Sequence, residues 1–431
     1  MRRVAIIGGG YAGMAAAVSL AQQNIPVTVF EAAKQLGGRA RRVDCHGLAI
    51  DNGQHILLGA YRETLRLIDV VTPDAAAAKT LLKFPLELVI PGHFRLRTAA
   101  LPAPLHLALG LLSAQGITLT ERLAALRFML KMRHRHFCLA ADTSVAALLQ
   151  QHGQSERLQR LLWEPLCVAA LNTPMQSASA QVFLNVLRDS LDGSRTDSDM
   201  LLPAVDLSAL FPNLAATYVR LRGGSVHTSR AVRTITTTSD GFRVGMDDEE
   251  TEFSHVVAAV APQHLGRLTA NIPAMAEVVS MLQNYSYQPI YSLYLQYPPQ
   301  VRLSGPMLGL TDGLAQWVFD RGQTHNQPGL LAVVISAEGP HRTLPHDQLA
   351  ERVQRELDCN IGPLPAPLWH QVIAEKRATF TCSPNLARPD QRTPLKGFYL
   401  AGDYTASPYP ATLEAAVRSG VTCAEHILAD E

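Results

Sequence analysis

Val4-Ala5-Ile6-Ile7-Gly8-Gly9-Gly10-Tyr11-Ala12-Gly13 is the stretch that decides the fold. An apolar run ends in a glycine turn, and Met14 to Gln22 reads on as an Ala-rich helix. A second apolar run, Val27-Thr28-Val29-Phe30, leads to Glu31, eighteen residues after Gly13. Strand, glycine turn, helix, strand and acid form the pattern of a dinucleotide-binding βαβ unit. Gly8 permits the tight turn. Gly10 has no Cβ, so the backbone can approach a pyrophosphate. Gly13 lets the helix lie close to the strand. The free N–H groups of the helix start, Ala12 among them, offer the positive end of the helix dipole to the phosphates. Glu31 is placed to accept hydrogen bonds from the adenosine ribose. The competing reading is a plain strand–turn–helix, and the acid at this distance speaks against it.

Gly37-Gly38-Arg39 begins six residues after Glu31, with Arg41 and Arg42 close behind. A nicotinamide-binding chain would pass into its next helix here. A second glycine pair with arginines predicts instead a second backbone approach to the same pyrophosphate, with a guanidinium to neutralise it. Near the far end, Gly397-Phe398-Tyr399-Leu400-Ala401-Gly402-Asp403 reads as a strand ending in Gly-Asp. Pro410 to Gly420 reads as a helix with proline near its first turn. Together these stretches resemble the flavin amine oxidase and phytoene desaturase superfamily. The resemblance implies an α/β chain whose Rossmann-like FAD-binding domain, of the GR2 type, is interleaved with a mixed α+β substrate domain. It implies FAD as cofactor, with Gly38 and Arg39 at the pyrophosphate. Gly402 and Asp403 would lie at the ribityl chain, and the backbone near Val232 at the adenine. The helix start at Thr412 and Leu413 would face the flavin pyrimidine edge, where a positive dipole end stabilises an anionic reduced flavin. Ser407-Pro408-Tyr409-Pro410 offers no cysteine for covalent attachment, so the FAD is expected to be non-covalent.

Composition narrows the function. The 431 residues suffice for two domains with cores of their own. A net charge of +1 gives no electrostatic case for nucleic acid. Six scattered cysteines, without CxxC or Cys/His metal spacing, predict a reducing compartment and no metal. The chain opens directly on a strand without a signal peptide, and no apolar run is long enough to span a bilayer.

The motifs predict interleaved domains: 1–78, 200–268 and 386–431 for FAD, 79–199 and 269–385 for substrate. A hairpin is expected over residues 86–97, and mostly helix after it to Leu191. A meander is expected from Val232–Thr236, Phe242–Met246 and His255–Val260. Long strands, Tyr287–Tyr297 and Leu330–Ser336, and a helix from Asp347 to Leu357 would follow, the sheet flooring a substrate cavity. Residues 99–117 are unusually apolar for a surface helix. The next helix would carry Arg127, Lys131 and Arg135 on one face and Leu123, Leu126 and Leu130 on another. Apolar surface beside a basic stripe predicts membrane-docking helices near 99–136, and a lipid substrate. A buried core helix with an ordinary solvated face is the equal alternative.

Three further stretches carry candidate chemistry: Asp51-Asn52-Gly53-Gln54-His55 through Gly59-Ala60-Tyr61, Trp163-Glu164-Pro165-Leu166 through Leu171-Asn172-Thr173-Pro174, and Glu375-Lys376-Arg377-Ala378-Thr379-Phe380. With the C-terminal motif they resemble the bacterial hydroxysqualene dehydroxylase family, Tyr404 standing where Trp is expected. The resemblance implies an oxidoreductase acting on CH or CH2 groups that removes the allylic hydroxyl of hydroxysqualene to give squalene, in hopanoid synthesis. Hydride would come from reduced FAD, and the departing hydroxyl needs a proton. His55 is the first candidate donor and Glu164 the second; Lys376 could hold a water near the flavin. Each has a structural alternative: a backbone-bonded histidine, a helix cap or ion pair, and a solvated strand lysine. Tyr285, Tyr287, Tyr291 and Tyr294 could line the cavity. Expected partners are an unidentified electron donor, a peripheral membrane contact on the inner face of the cytoplasmic membrane, and prenyl-chain synthases. Competing readings are a phytoene-type oxidative desaturase, an amine oxidase and a non-catalytic flavin-binding scaffold.

Overall fold

The computed structural model describes residues 2–73, 80–247 and 249–430. The fold is α/β, built around a five-stranded parallel sheet in the order Ser225–His227, Val27–Phe30, Val4–Ile7, His255–Ala258, Phe398–Leu400. Its strands come from three widely separated stretches, which requires the chain to leave and return twice. The expected division at 78–79 lies outside the described residues. The strand order reverses between Val4–Ile7 and His255–Ala258, and ligands bind in the crevice at such a reversal.

The first helix, Tyr11–Gln22, begins three residues earlier than the Ala-rich run suggested, because Gly10 takes the cap position in extended conformation. It is apolar all round because it is covered all round. The sheet lies on one side and the last helix, Leu413–Ala429, on the other. Its alanines make that fit possible, and Gly420 completes it: a Cβ there would lie 2.1 Å from Ala12 O. The last helix starts at Leu413, later than expected, because the Thr412 hydroxyl captures Ala415 N at 3.2 Å and fixes the cap.

The expected meander has a different third strand. Thr234–Thr237, Phe242–Gly245 and Glu250–Phe253 form an antiparallel sheet. His255–Ala258 instead enters the parallel sheet, where its fully apolar Val256-Val257-Ala258 run is buried on both faces.

The second large sheet is antiparallel, in the order Met307–Gly309, Trp317–Asp320, Leu330–Ser336, Tyr287–Gln296, Trp369–Phe380. Period-two alternation splits its tyrosines. Tyr291, with Leu293 and Leu295, packs against the helix His346–Ile361 and against His341. Tyr294 faces the core shared with the flavin motifs. The four tyrosines therefore do not line one cavity.

Residues 105–192 are helical except for short connections. The hairpin Glu87–Ile90 with Phe94–Arg97 stands as expected. In the apolar stretch only Leu105–Ser113 is helical, since Pro102 and Pro104 precede it. The next helix, Leu119–His134, opens on a capping box between Thr118 and Glu121. Its buried face is Ala125, Phe128, Met129 and Met132; Leu130 is exposed beside Arg127 and Lys131, and Arg135 caps the end. No helix among the described residues is long and apolar enough to cross a membrane.

Candidate active site

The two glycine motifs meet at the sheet reversal. Gly10 and Gly37 form an isolated parallel bridge, and Gly37 N donates to Gly9 O at 2.9 Å. The turn tolerates no side chain where chain meets chain. A Cβ on Gly8 would lie 2.4 Å from Ala259 O, and one on Gly13 2.0 Å from Gly8 O. Gly10 differs: its Cβ would meet nothing nearer than Gly38 Cα at 3.9 Å. The glycine pair thus leaves a bare backbone cradle beside the uncapped start of the first helix, with Ala12 in its first turn. Gly38 holds its turn at φ 61.

Glu31 closes one end. Its carboxylate accepts from Gly9 N at 2.6 Å and Ala33 N at 2.8 Å, and keeps lone pairs for a ribose. The chain after Ser225–His227 runs back along this end: Ser229 N donates to Ala33 O at 2.9 Å and Arg230 N to Glu31 O at 2.8 Å. Val232 follows two residues later, partly buried.

The motifs from the two ends of the chain are joined directly. Arg39 donates to Asp403 Oδ1 at 2.6 Å and to Ala378 O at 2.6 Å. Arg39 so links the Gly37-Gly38-Arg39 motif to Asp403 and to the Glu375–Phe380 stretch. Gly402 is obligatory for a local reason: its Cβ would lie 2.4 Å from the Tyr404 ring. Tyr404 is buried, and its hydroxyl has no partner among the described residues. An open glycine cradle, a helix start with free N–H groups and an orphaned buried hydroxyl suit FAD: Gly8, Gly10, Gly13, Glu31 and Gly38 for the adenosine diphosphate, Asp403, Thr412 and Leu413 for the flavin half.

The stretch from Asp51 to His55 lies against this cradle. Asn52 exchanges hydrogen bonds with the Arg41 backbone, each 3.0 Å. Asp51 is buried, accepting from Leu207 N at 2.8 Å and pairing with the fully buried Arg321 at 3.3 Å. Burial pushes the Asp51 pKa up to about 6, with Arg321 working against it. Tyr294 donates to Asp51 O at 2.6 Å and accepts from Gln54 at 2.7 Å. This network fastens the stretch to the antiparallel sheet, and the sequence reading missed it. Arg321 lies 270 residues from Asp51, so no local pattern could reveal it.

His55 Nδ1 lies 3.1 Å from Gly53 O. A carbonyl can only accept, so Nδ1 carries hydrogen and the neutral ring leaves Nε2 as an acceptor. Burial lowers the His55 pKa; Gly53 O opposes this and Arg39 adds to it. His55 is therefore neutral at pH 7 and donates a second proton only when protonated in acid. Glu164 starts the helix Glu164–Leu171 and is exposed. Enclosure around its carboxyl raises its pKa, and Arg160 one turn earlier opposes that. Lys376 is exposed, in a bulge between the pairs Ile290–Glu375 and Gln288–Thr379 whose last residue, Ala378, contacts Arg39.

Two of the stretches are explained by packing. Gly59 passes so close to Thr196 O that a Cβ would lie 1.8 Å away. Asn172, at φ 45, donates to Thr379 Oγ1 at 2.9 Å and accepts from Ala337 N at 2.8 Å, tying three segments together. Glu414 was also missed. It is fully buried in the first turn of the last helix, and caps another helix, Arg62–Val71, by accepting from Thr64 N at 2.9 Å and Thr64 Oγ1 at 2.8 Å.

Residues 11–428 match the family described as flavin containing amine oxidoreductase. The chain belongs to that family. It is an FAD-dependent oxidoreductase. It is 28% identical to a hydroxysqualene dehydroxylase of Sinorhizobium fredii, over 100% of this chain and 99% of that one. It is 29% identical to a hydroxysqualene dehydroxylase of Rhodopseudomonas palustris, over 99% of each chain. A zeta-carotene desaturase of Solanum lycopersicum is 24% identical, over 99% of this chain and 80% of that one. Among solved structures, a triple variant of putrescine oxidase superposes with a TM-score of 0.77 at 20% identity, covering 100% of this chain and 99% of its own. That likeness is one of fold.

Proposed function

We propose that this oxidoreductase removes the allylic hydroxyl of hydroxysqualene, giving squalene. The reading rests above all on end-to-end similarity to relatives of that name. Bound reduced FAD supplies the hydride: a C–H bond replaces the C–O bond, the hydroxyl leaves with one proton as water, and the flavin is oxidised. The chain's part is to orient the substrate, exclude water and hold the proton. We assign the proton to His55, which bonds Gly53 O and would donate in its imidazolium form. Glu164 is the second candidate donor, and Lys376 is the candidate for holding a water near the flavin.

The interior of the helical part is apolar. A cavity of about 20 Å3 there has only apolar side chains in its wall, among them Leu88, Leu96, Leu107, Leu111, Leu162 and Trp163. Leu105 and Leu109, on the other side of the helix that supplies Leu107 and Leu111, are exposed, as are Leu101, Leu119 and Leu130. With Arg127 and Lys131 alongside, this face fits peripheral contact with the inner face of the cytoplasmic membrane. The division into flavin and substrate parts, an external electron donor and contact with prenyl-chain synthases belong to the same proposal.

The second reading, an oxidative polyene desaturase, draws on the similarity to zeta-carotene desaturase. Reaction of reduced enzyme with hydroxysqualene, against reaction of oxidised enzyme with phytoene-like polyenes, separates the two.

A further inference from the structure

Arg388 lies in a stretch to which the sequence reading gave no role. Its guanidinium donates to four backbone carbonyls of a single loop: Asp403 O, Tyr404 O at 3.3 Å, Ser407 O at 2.9 Å and Tyr409 O at 2.7 Å. Its Cζ stands 4.8 Å from the centre of the Phe380 ring. The loop runs from Asp403 to the Thr412 cap of the last helix, so it spans the two flavin contacts expected at this end of the chain.

The charge of Arg388 is solvated but not cancelled. Carbonyl oxygens carry partial charge only, and the carboxylate of the loop, Asp403, is already paired with Arg39 at 2.6 Å. Arg39 thus holds the Asp403 carboxylate while Arg388 holds the Asp403 backbone carbonyl, and the last helix begins at the far end of the same loop. Arg388 is partly buried, so solvent screens it less than a surface charge. Burial lowers its pKa, with Cys382, Asp403 and Tyr285 opposing. A guanidinium nevertheless stays protonated at neutral pH.

We propose that Arg388 is a positioning residue that acts in two ways. It holds the 403–409 loop in shape, and it supplies fixed positive charge that favours the reduced flavin. Two-electron reduction with uptake of one proton leaves the flavin one unit more negative, and a fixed cation stabilises that form. Neither action depends on which lipid is the substrate.

The test is the midpoint potential of the FAD-bound protein, by dye equilibration, in three variants. Arg388→Gln loses the charge and keeps two donors at most, so it is read against Arg388→Lys, which also loses the four-carbonyl reach but keeps the charge. At a fixed potential its ratio of reduced to oxidised flavin should fall about tenfold, equivalent to about 30 mV for a two-electron couple. Arg388→Lys keeps the charge but cannot reach four carbonyls. Its ratio should stay within about threefold of the parent, while FAD is released more readily on mild heating. Cys382→Asp places an acid near the cation without removing any donor, and should lower the ratio as Gln does. If Arg388→Gln does not retain FAD, Cys382→Asp decides alone. Unchanged potentials in Arg388→Gln and Cys382→Asp would overturn the charge role. Equal falls in the Gln and Lys variants would also overturn it, leaving only loop geometry.

Discussion

The flavin cradle and the 51–55 stretch lie side by side, yet they are built by different means. The cradle is made of absences: glycines whose missing Cβ atoms let three backbone segments touch. The stretch beside it is made of a buried charge pair, Asp51 with Arg321, and a tyrosine, Tyr294, 243 residues from its partner. The first kind of site is written in short motifs, because a steric demand acts on one residue at one place. The second is written in partners far apart, each ordinary where it stands. The difference predicts how each region fails.

The largest loss should come from the cradle. Gly13→Val places methyl groups where a Cβ already lies 2.0 Å from Gly8 O. We expect a cost of about 3 kcal/mol or more and loss of bound FAD, read from the flavin absorbance of purified protein and its melting temperature. A stable, yellow Gly13→Val protein would break the steric account.

The charge pair should fail differently. Arg321→Met strands a buried carboxylate and should cost about 3–5 kcal/mol. Adding Asp51→Asn should recover most of that loss, which no cradle variant would allow. The pH dependence follows from the same group. The Asp51 pKa is raised in the folded state to about 6. Between about pH 4 and 6 the folded state therefore binds more protons than the unfolded one, and this group's contribution to stability falls as pH rises through that window. Melting across that range should show a decline that Asp51→Asn removes. A decline that persists in Asp51→Asn belongs to other groups.

Smaller effects separate the candidate acids. His55→Ala should keep FAD and fold while turnover falls about a hundredfold. Because its pKa is lowered, the parent's kcat/KM should rise as pH drops below 7 if imidazolium is the donor. A flat profile with full turnover in His55→Ala would leave only its bond to Gly53. Glu164→Gln, at an exposed helix start, should change turnover less than about twofold and stability by less than about 0.5 kcal/mol. Heat or denaturant should release all flavin from the chain, since the 407–410 segment has no cysteine.

What could be read from the sequence divides along the same line. Gly8 to Gly13, Glu31, Gly37 to Arg39 and Gly402-Asp403 marked the sheet reversal, and the α/β class followed. The meander's third strand was misplaced because Glu250–Phe253 and His255–Ala258 both suit strands, and only burial on two faces tells which enters the parallel sheet. The tyrosines were grouped by composition, and alternation placed Tyr291 on the far face. Asn172 and Gly59 drew notice as unusual motifs. The structure gives them packing duties, which a motif alone does not distinguish from chemistry. Arg321, Arg388 and Glu414 carried no local signal, since each is defined by partners distant in sequence.

The central claim is the direction and substrate of the flavin reaction. The protein should be reduced without oxygen, mixed with hydroxysqualene in detergent, and followed by flavin absorbance while lipid is extracted. The account predicts return of the oxidised spectrum with one squalene formed per flavin. A reduced flavin that persists with no squalene, together with bleaching of the oxidised protein by a phytoene-like polyene, would contradict it and place the chain with the desaturases.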